Sequence, residues 1–153
     1  MSIKAENNYY LPAGLPMPVS ESDGLSEPFW SGLKMERLRV QHCSHCQTWQ
    51  FGPEWLCHHC HRFDPEWEEI EPKGTIYSWE RVWHPSHDAL KSHGPYIAVL
   101  VELPHAGNVR VVGNLLGDPM QEVIIGADVV GIFEHHLDAE SPYTLLQWQY
   151  KAD

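Results

Sequence analysis

From Gly74 onward the chain alternates with period two. Thr75, Tyr77, Trp79, Arg81 and Trp83 are assigned to one face of a strand and Ile76, Ser78, Glu80 and Val82 to the other. Four further strand-length runs follow, Tyr96 to Leu103, Val109 to Leu115, Asp128 to His135 and Thr144 to Tyr150. The separators are a polar loop from His84 to Pro95, a turn at His105-Ala106-Gly107-Asn108, a connection through Gly117-Asp118-Pro119, and another at Asp138 to Pro142. Five short strands with one longer connection between the third and fourth predict a small five-stranded Greek-key barrel, the OB-fold, over residues 71–153.

The pattern before Gly74 differs. Residues 1–27 hold Pro12, Gly14, Pro16, Pro18 and Gly24 with little periodicity and read as an extended or disordered arm. Its Tyr9, Tyr10, Leu11, Leu15 and Met17 make it stickier than a plain linker, which suggests packing on a partner. Ser26 is placed to cap a short helix with Pro28 in its first turn and Phe29, Trp30 and Leu33 on one side. Leu38, Val40 and His42 then alternate as a strand, and Thr48 to Phe51 followed by Gly52-Pro53 reads as a strand and turn. The run Asp64 to Glu71 carries five carboxylates without a basic residue, the mark of a solvated edge. The fold class is therefore mainly β, with an N-terminal helical segment and a ribbon over residues 28–70 ahead of the barrel.

Cysteine spacing supplies the ribbon's chemistry. Cys43, Cys46, Cys57 and Cys60 form C-x2-C, ten residues, C-x2-C, with no cysteine left over. Two such turns facing each other across a hairpin aim four thiolates at one point, a rubredoxin-like zinc ribbon. Four sulfurs fill four positions, so the expected Zn2+ is structural rather than catalytic. Iron accepts the same ligand set and stays open as the alternative metal. A pair of disulfides or a thioredoxin-like redox pair fits less well, because both turns are C-x2-C and a reducing compartment is expected. His42, His45, His58, His59 and His61 lie in or beside the turns and are read as surface residues, the thiolates sufficing as ligands.

Composition narrows the function classes. Of 153 residues, 42% are hydrophobic, enough for a packed core. Ten Lys and Arg against 21 Asp and Glu give a net charge of −11, which opposes a nucleic-acid partner because phosphate binding rests on cationic side chains. No run nears the roughly 20 apolar residues of a membrane span, and no basic start leads into an apolar stretch. A cytoplasmic protein is expected, with no membrane partner.

The ordered set of motifs resembles a known family, the zinc-ribbon and OB-fold, acyl-CoA-associated proteins called domain of unknown function 35. The features are Pro28-Phe29-Trp30, Leu38 to Cys43, the two cysteine turns with Pro53 between them, Glu66-Trp67, Gly74-Thr75-Ile76-Tyr77-Ser78, Pro95-Tyr96, Val101-Glu102-Leu103, and Gly126 before Val129. They cover residues 27–150. The resemblance implies a non-catalytic subunit that works with a thiolase-like or lipid-transfer-protein-like enzyme, a thiolase or retro-aldolase, on acyl-CoA thioesters such as steroid side-chain or fatty-acyl intermediates. In that role the subunit shapes the substrate channel, stabilises a hetero-oligomer and has acyl-CoA as a possible ligand. The His-rich turns and loop depart from the family pattern.

Two groups of residues are candidates for ligand or partner contacts. Trp79, Arg81 and Trp83, with Tyr77 on the same predicted face, offer an aromatic surface around one cation, and Tyr96 opens the next strand. His84, His87 and His93 with Asp88 offer an acid/base or second metal cluster, the basis of an alternative reading as an independent His-dependent hydrolase. A single-stranded nucleic-acid binder is the other alternative, since ribbons and OB-folds both stack bases on aromatics. No nucleophile elbow, P-loop or dinucleotide fingerprint is present.

Overall fold

The computed structural model describes residues 8–152, so the first seven residues of the expected arm lie outside the described residues. Helix α1 (Glu27–Lys34) leads into a three-stranded antiparallel sheet, β1 (Leu38–His42), β2 (Trp49–Gln50) and β3 (Glu66–Ile70), in the order β2-β1-β3. Strands β4 (Lys73–Val82), β5 (Tyr96–Leu103), β6 (Val109–Asn114), β7 (Asp128–His136) and β8 (Tyr143–Tyr150) form a second sheet in the order β6-β5-β4-β7-β8. A bridge between Leu115 and Trp148, with the Leu116 N–H donating to the Trp148 carbonyl at 2.8 Å, brings the two ends of this sheet together into a nearly closed barrel. The five predicted strands are all present, in OB-fold order.

Alternation explains the core. Ile97, Val99, Val101 and Leu103 of β5 are buried while Tyr96, Ala98, Leu100 and Glu102 between them are only half-buried. Ile76, Val111, Val129, Leu146 and Trp148 join them inside the barrel. Leu33 of α1 and Leu38 and Val40 of β1 belong to the same cluster, so ribbon and barrel share one core. Gly74 is required where β4 meets β5, because an added Cβ would lie 2.3 Å from the Glu102 carbonyl oxygen.

Three local expectations change. Ser26 stands at the N-cap of α1, but its hydroxyl makes no cap hydrogen bond; Glu27 and Pro28 start the helix instead. The acidic run is itself a strand, β3, paired along the whole of β1 from Leu38↔Ile70 to His42↔Glu66. Its carboxylates stay exposed on an edge strand, where like charge opposes further strand addition. The described part of the arm lies on the barrel: Tyr9 stacks on His136 with ring centroids 3.8 Å apart, and His136 stacks on Tyr143 at 4.4 Å. Tyr10 donates its N–H to Glu134 at 3.1 Å, and its hydroxyl accepts from the Ile97 N–H at 3.1 Å. The Tyr9 hydroxyl donates to Asp138, whose carboxylate pushes the phenol up to about 12.

Candidate metal centre

Each cysteine turn repeats one backbone plan. The Cys43 N–H donates to the Thr48 carbonyl at 2.9 Å and its carbonyl accepts from Gln47 at 2.8 Å; the Cys57 N–H donates to Arg62 at 2.8 Å and its carbonyl accepts from His61 at 2.9 Å. The residue four past each leading cysteine, Gln47 or His61, takes the left-handed conformation with φ of 60° and 61°. Neither is glycine, so each costs about 1 kcal/mol or more of backbone strain.

The turns bring the four Sγ atoms within 4.8 Å of one another. Cys43 and Cys60 lie 3.6 Å apart and Cys46 and Cys57 3.5 Å. A tetrahedron with Zn–S bonds of about 2.3 Å has edges of about 3.8 Å, so the sulfurs stand where a four-thiolate metal needs them. The Thr48 hydroxyl, 3.2 Å from Cys46 Sγ, is foremost in pulling that thiol down to about 5. At Cys60 the Arg62 N–H acts in the same direction, but burial and the neighbouring Cys43, Cys46 and Cys57 sulfurs outweigh it and hold the thiol up near 11. Four thiols this close do not all ionise by themselves, whereas a divalent cation displaces their protons.

Behind the sulfurs lies a feature that the cysteine spacing does not announce. Gln41 and Gln50 are buried, and the Gln50 amide donates to Gln41 Oε1 at 2.8 Å. Gln41 Oε1 also accepts the Glu54 N–H at 3.0 Å while its amide donates to the Glu54 carbonyl at 3.1 Å. Gln50 Oε1 accepts the His58 N–H at 3.0 Å, and its amide reaches the Leu56 carbonyl at 3.2 Å. This pair bolts the second turn to β1 and β2, and the sequence carries no signal for it, because alternation with the buried Leu38 and Val40 assigns Gln41 to the outward face. Gln41→Ala is expected to destabilise the chain by about 1–3 kcal/mol by stranding the Glu54 and Gln50 groups, measured as a lower urea midpoint with one bound metal retained.

The histidines separate. His42 is stacked on Trp49 at 4.0 Å and bonded to Glu68 at 2.7 Å and the Gln47 carbonyl at 3.1 Å, so it braces the first turn instead of lying on its surface. His45, His58, His59 and His61 are exposed. Among the described residues the four cysteines are the one cluster of three or more potential metal ligands, so His84, His87 and His93 do not assemble a second site. His84 and His93 are exposed, and His87 Nδ1 accepts from the Ala89 N–H at 3.1 Å, capping a short helical turn (Asp88–Leu90).

The predicted aromatic face is also divided. The register slips between Ile76, paired with Val101, and Ser78, paired with Leu100; Tyr77 has no partner on β5 and stays exposed, while Trp79 and Arg81 pair with the buried Val99 and Ile97. A β-bulge reverses the alternation there, and no single strand face holds Tyr77, Trp79 and Arg81. Tyr77 lies under the Arg110 guanidinium at 3.6 Å; Trp79 packs on the core with Arg81 5.2 Å above its ring. Arg81 gives its Nε to the Pro119 carbonyl at 2.8 Å and its Nη2 to the Gln121 carbonyl at 2.7 Å, anchoring the β6–β7 loop. Trp83 is exposed just beyond β4, and Tyr96 is half-buried opposite Val82.

Two family models match in tandem. Residues 30–66 match the rubredoxin-like zinc ribbon domain of ChsH2, and residues 67–133 its C-terminal OB-fold domain. A chain of the solved Ltp2-ChsH2(DUF35) aldolase is 30% identical and superposes with a TM-score of 0.72, the match covering 88% of this chain and 98% of that one. The chain belongs to the ChsH2 (DUF35) family. A DUF35-family protein of unknown function from Sulfolobus solfataricus, 18% identical with a TM-score of 0.59 over 83% of this chain and 85% of that one, shares the fold. Comparison with curated protein sequences gives no match. As a member of the ChsH2 family the chain carries a zinc ribbon, and its four converging cysteines fit a structural zinc. Among the described residues no helix is long and apolar enough to cross a membrane.

Proposed function

We propose that this ChsH2-family chain is a non-catalytic, zinc-stapled subunit of an aldolase or thiolase assembly acting on acyl-CoA thioesters. The observation that carries the reading is the likeness to a chain of the Ltp2-ChsH2(DUF35) aldolase along nearly its whole length, rather than over one module. Three features of the chain agree with it. Four thiolates fill the metal's coordination positions, so the ion supports the fold and offers no site for a water or substrate. The residues that hinted at independent hydrolysis, His84, His87 and His93, are scattered along a polar loop. Net charge −11 sets the surface against the phosphate backbone of a nucleic acid.

In this role the ribbon and barrel, joined through Leu33, Leu38 and Val40, act as one rigid body that docks on a thiolase-like subunit in the cytoplasm and shapes its acyl channel. The acyl group is that of a steroid side chain or a fatty acid, and acyl-CoA reaches the assembled pair. Co-expression with a thiolase-like enzyme subunit from the same genome is expected to yield a stable hetero-oligomer whose carbon–carbon cleavage of acyl-CoA requires both chains. A chain that stays alone through purification, beside a partner fully active without it, refutes the proposal.

A further inference from the structure

The connection between β6 and β7, residues 115–127, combines two properties that usually exclude each other. It is fixed in place: besides the two Arg81 bonds, the Asp118 carboxylate accepts the Met120 N–H at 2.8 Å and the Gln121 side chain donates to the Leu116 carbonyl at 2.9 Å. The Tyr150 hydroxyl donates to the Glu122 carbonyl at 3.0 Å and accepts the Ile124 N–H at 3.0 Å, and the Gly126 N–H donates to the Ile76 carbonyl at 2.7 Å. Val123 turns inward against the core. Yet Met120, Ile124 and Ile125 are 55%, 53% and 65% exposed. A loop anchored by Val123 has no need of three large apolar side chains in water for its own stability. Displayed on a frame this rigid, they give contact area without an ordering cost on association.

The charge around them selects the occupant. Asp118 and Glu122 are the loop's own charges, the Arg81 guanidinium is spent on the Pro119 and Gln121 carbonyls, and the chain as a whole carries a net charge of −11. Asp118 and Glu122, on the loop itself, are exposed and take part in no ion pair among the described residues. A second copy of this chain would set two acidic rims against each other, and an anionic lipid surface would be repelled. We propose that Met120, Ile124 and Ile125 form the anchor of the interface with the enzyme subunit, seating in an apolar recess of that protein whose rim carries Lys or Arg. The proposal rests on the accessory-subunit reading. Three side chains are the centre of such a contact, since a stable interface buries about 800 Å² on each partner.

The test uses the whole metal-loaded chain with the thiolase-like subunit that co-expression identifies as its partner. The triple variant Met120→Ser, Ile124→Ser, Ile125→Ser is expected to weaken binding about 100-fold while its thermal midpoint and metal content stay those of the parent. Glu122→Lys is expected to slow association and to flatten its dependence on salt. Parent and triple variant binding equally tightly overturns the surface while leaving the accessory-subunit reading intact. Failure of the parent itself to bind overturns both, and a concentration-dependent dimer of the parent that the triple variant abolishes assigns the patch to self-association and overturns the proposed occupant.

Discussion

Cys57→Ser is expected to release the metal and unfold both cysteine turns while the barrel strands remain folded. The ribbon has little else to hold it. Strand β2 is two residues long, the second turn is closed by the single bridge Leu56↔Phe63, and the buried side chains on this side, Leu33, Leu38 and Val40, belong to the core shared with the barrel. Structural zinc contributes roughly 10–16 kcal/mol to folding in isolated finger peptides, far more than two glutamine bridges supply. Cys57 is fully buried, its N–H and carbonyl close the turn, and its sulfur stands 3.5 Å from Cys46. A serine hydroxyl resists ionisation at neutral pH and is a poor ligand for zinc, leaving three thiolates to repel one another. Metal analysis of the parent is expected to give one zinc and no iron per chain; a red, iron-loaded sample contradicts the zinc assignment. Hydrogen exchange is then expected to lose protection over residues 43–63 in the variant, or in the parent after chelation, and to keep it in β4 to β8. Undiminished protection in both turns contradicts a metal-held ribbon.

Trp148→Ala is expected to be the most damaging single change in the barrel, about 3–5 kcal/mol by loss of a large buried side chain. Trp148 is fully buried and lies where the barrel closes: its carbonyl accepts the Leu116 N–H, it bridges to Leu115, and its ring packs beneath Gly113. A Cβ at Gly113 would stand 2.7 Å from the indole Cδ1 and 2.6 Å from the Leu146 carbonyl oxygen, so the indole fits only because that position has no side chain. The indole N–H finds no partner, the one buried side-chain donor or acceptor so placed among the described residues. Trp148→Phe therefore loses volume but also removes an unpaired donor worth about 1–3 kcal/mol, and it is expected to cost distinctly less than Trp148→Ala in urea unfolding. Equal costs for the two variants contradict this account.

Both sites show how far a linear reading reaches. The C-x2-C spacing determined the metal centre because sulfur geometry is local: two residues between cysteines and a hairpin between turns leave one way for the four thiolates to meet. Period-two alternation likewise marked the five barrel strands, since burying one face of each strand needs only alternate apolar residues, as in Ile97, Val99, Val101 and Leu103. The acidic run was legible as an edge but not as a strand, because Glu66, Glu68 and Glu69 have low β-propensity and are held by pairing with β1.

Tertiary structure decided what depends on distant partners. A single bulge near Tyr77 moves Trp79 and Arg81 to the other side of the sheet, and alternation cannot locate a slipped register before the pairing strand is known. Arg81, read from sequence as a cation for a ligand, is taken up by the carbonyls of Pro119 and Gln121, some 40 positions away in the chain. The Gln41–Gln50 bolt and the space under Gly113 for Trp148 are likewise contacts between strands. Sequence alone determined the local chemistry of this chain, its metal turns and its strand-forming runs. Which polar groups are spent inside the fold and which remain on its surface is settled only when hydrogen bonds across the sheets are counted, because satisfying a buried group requires a partner that local sequence does not contain.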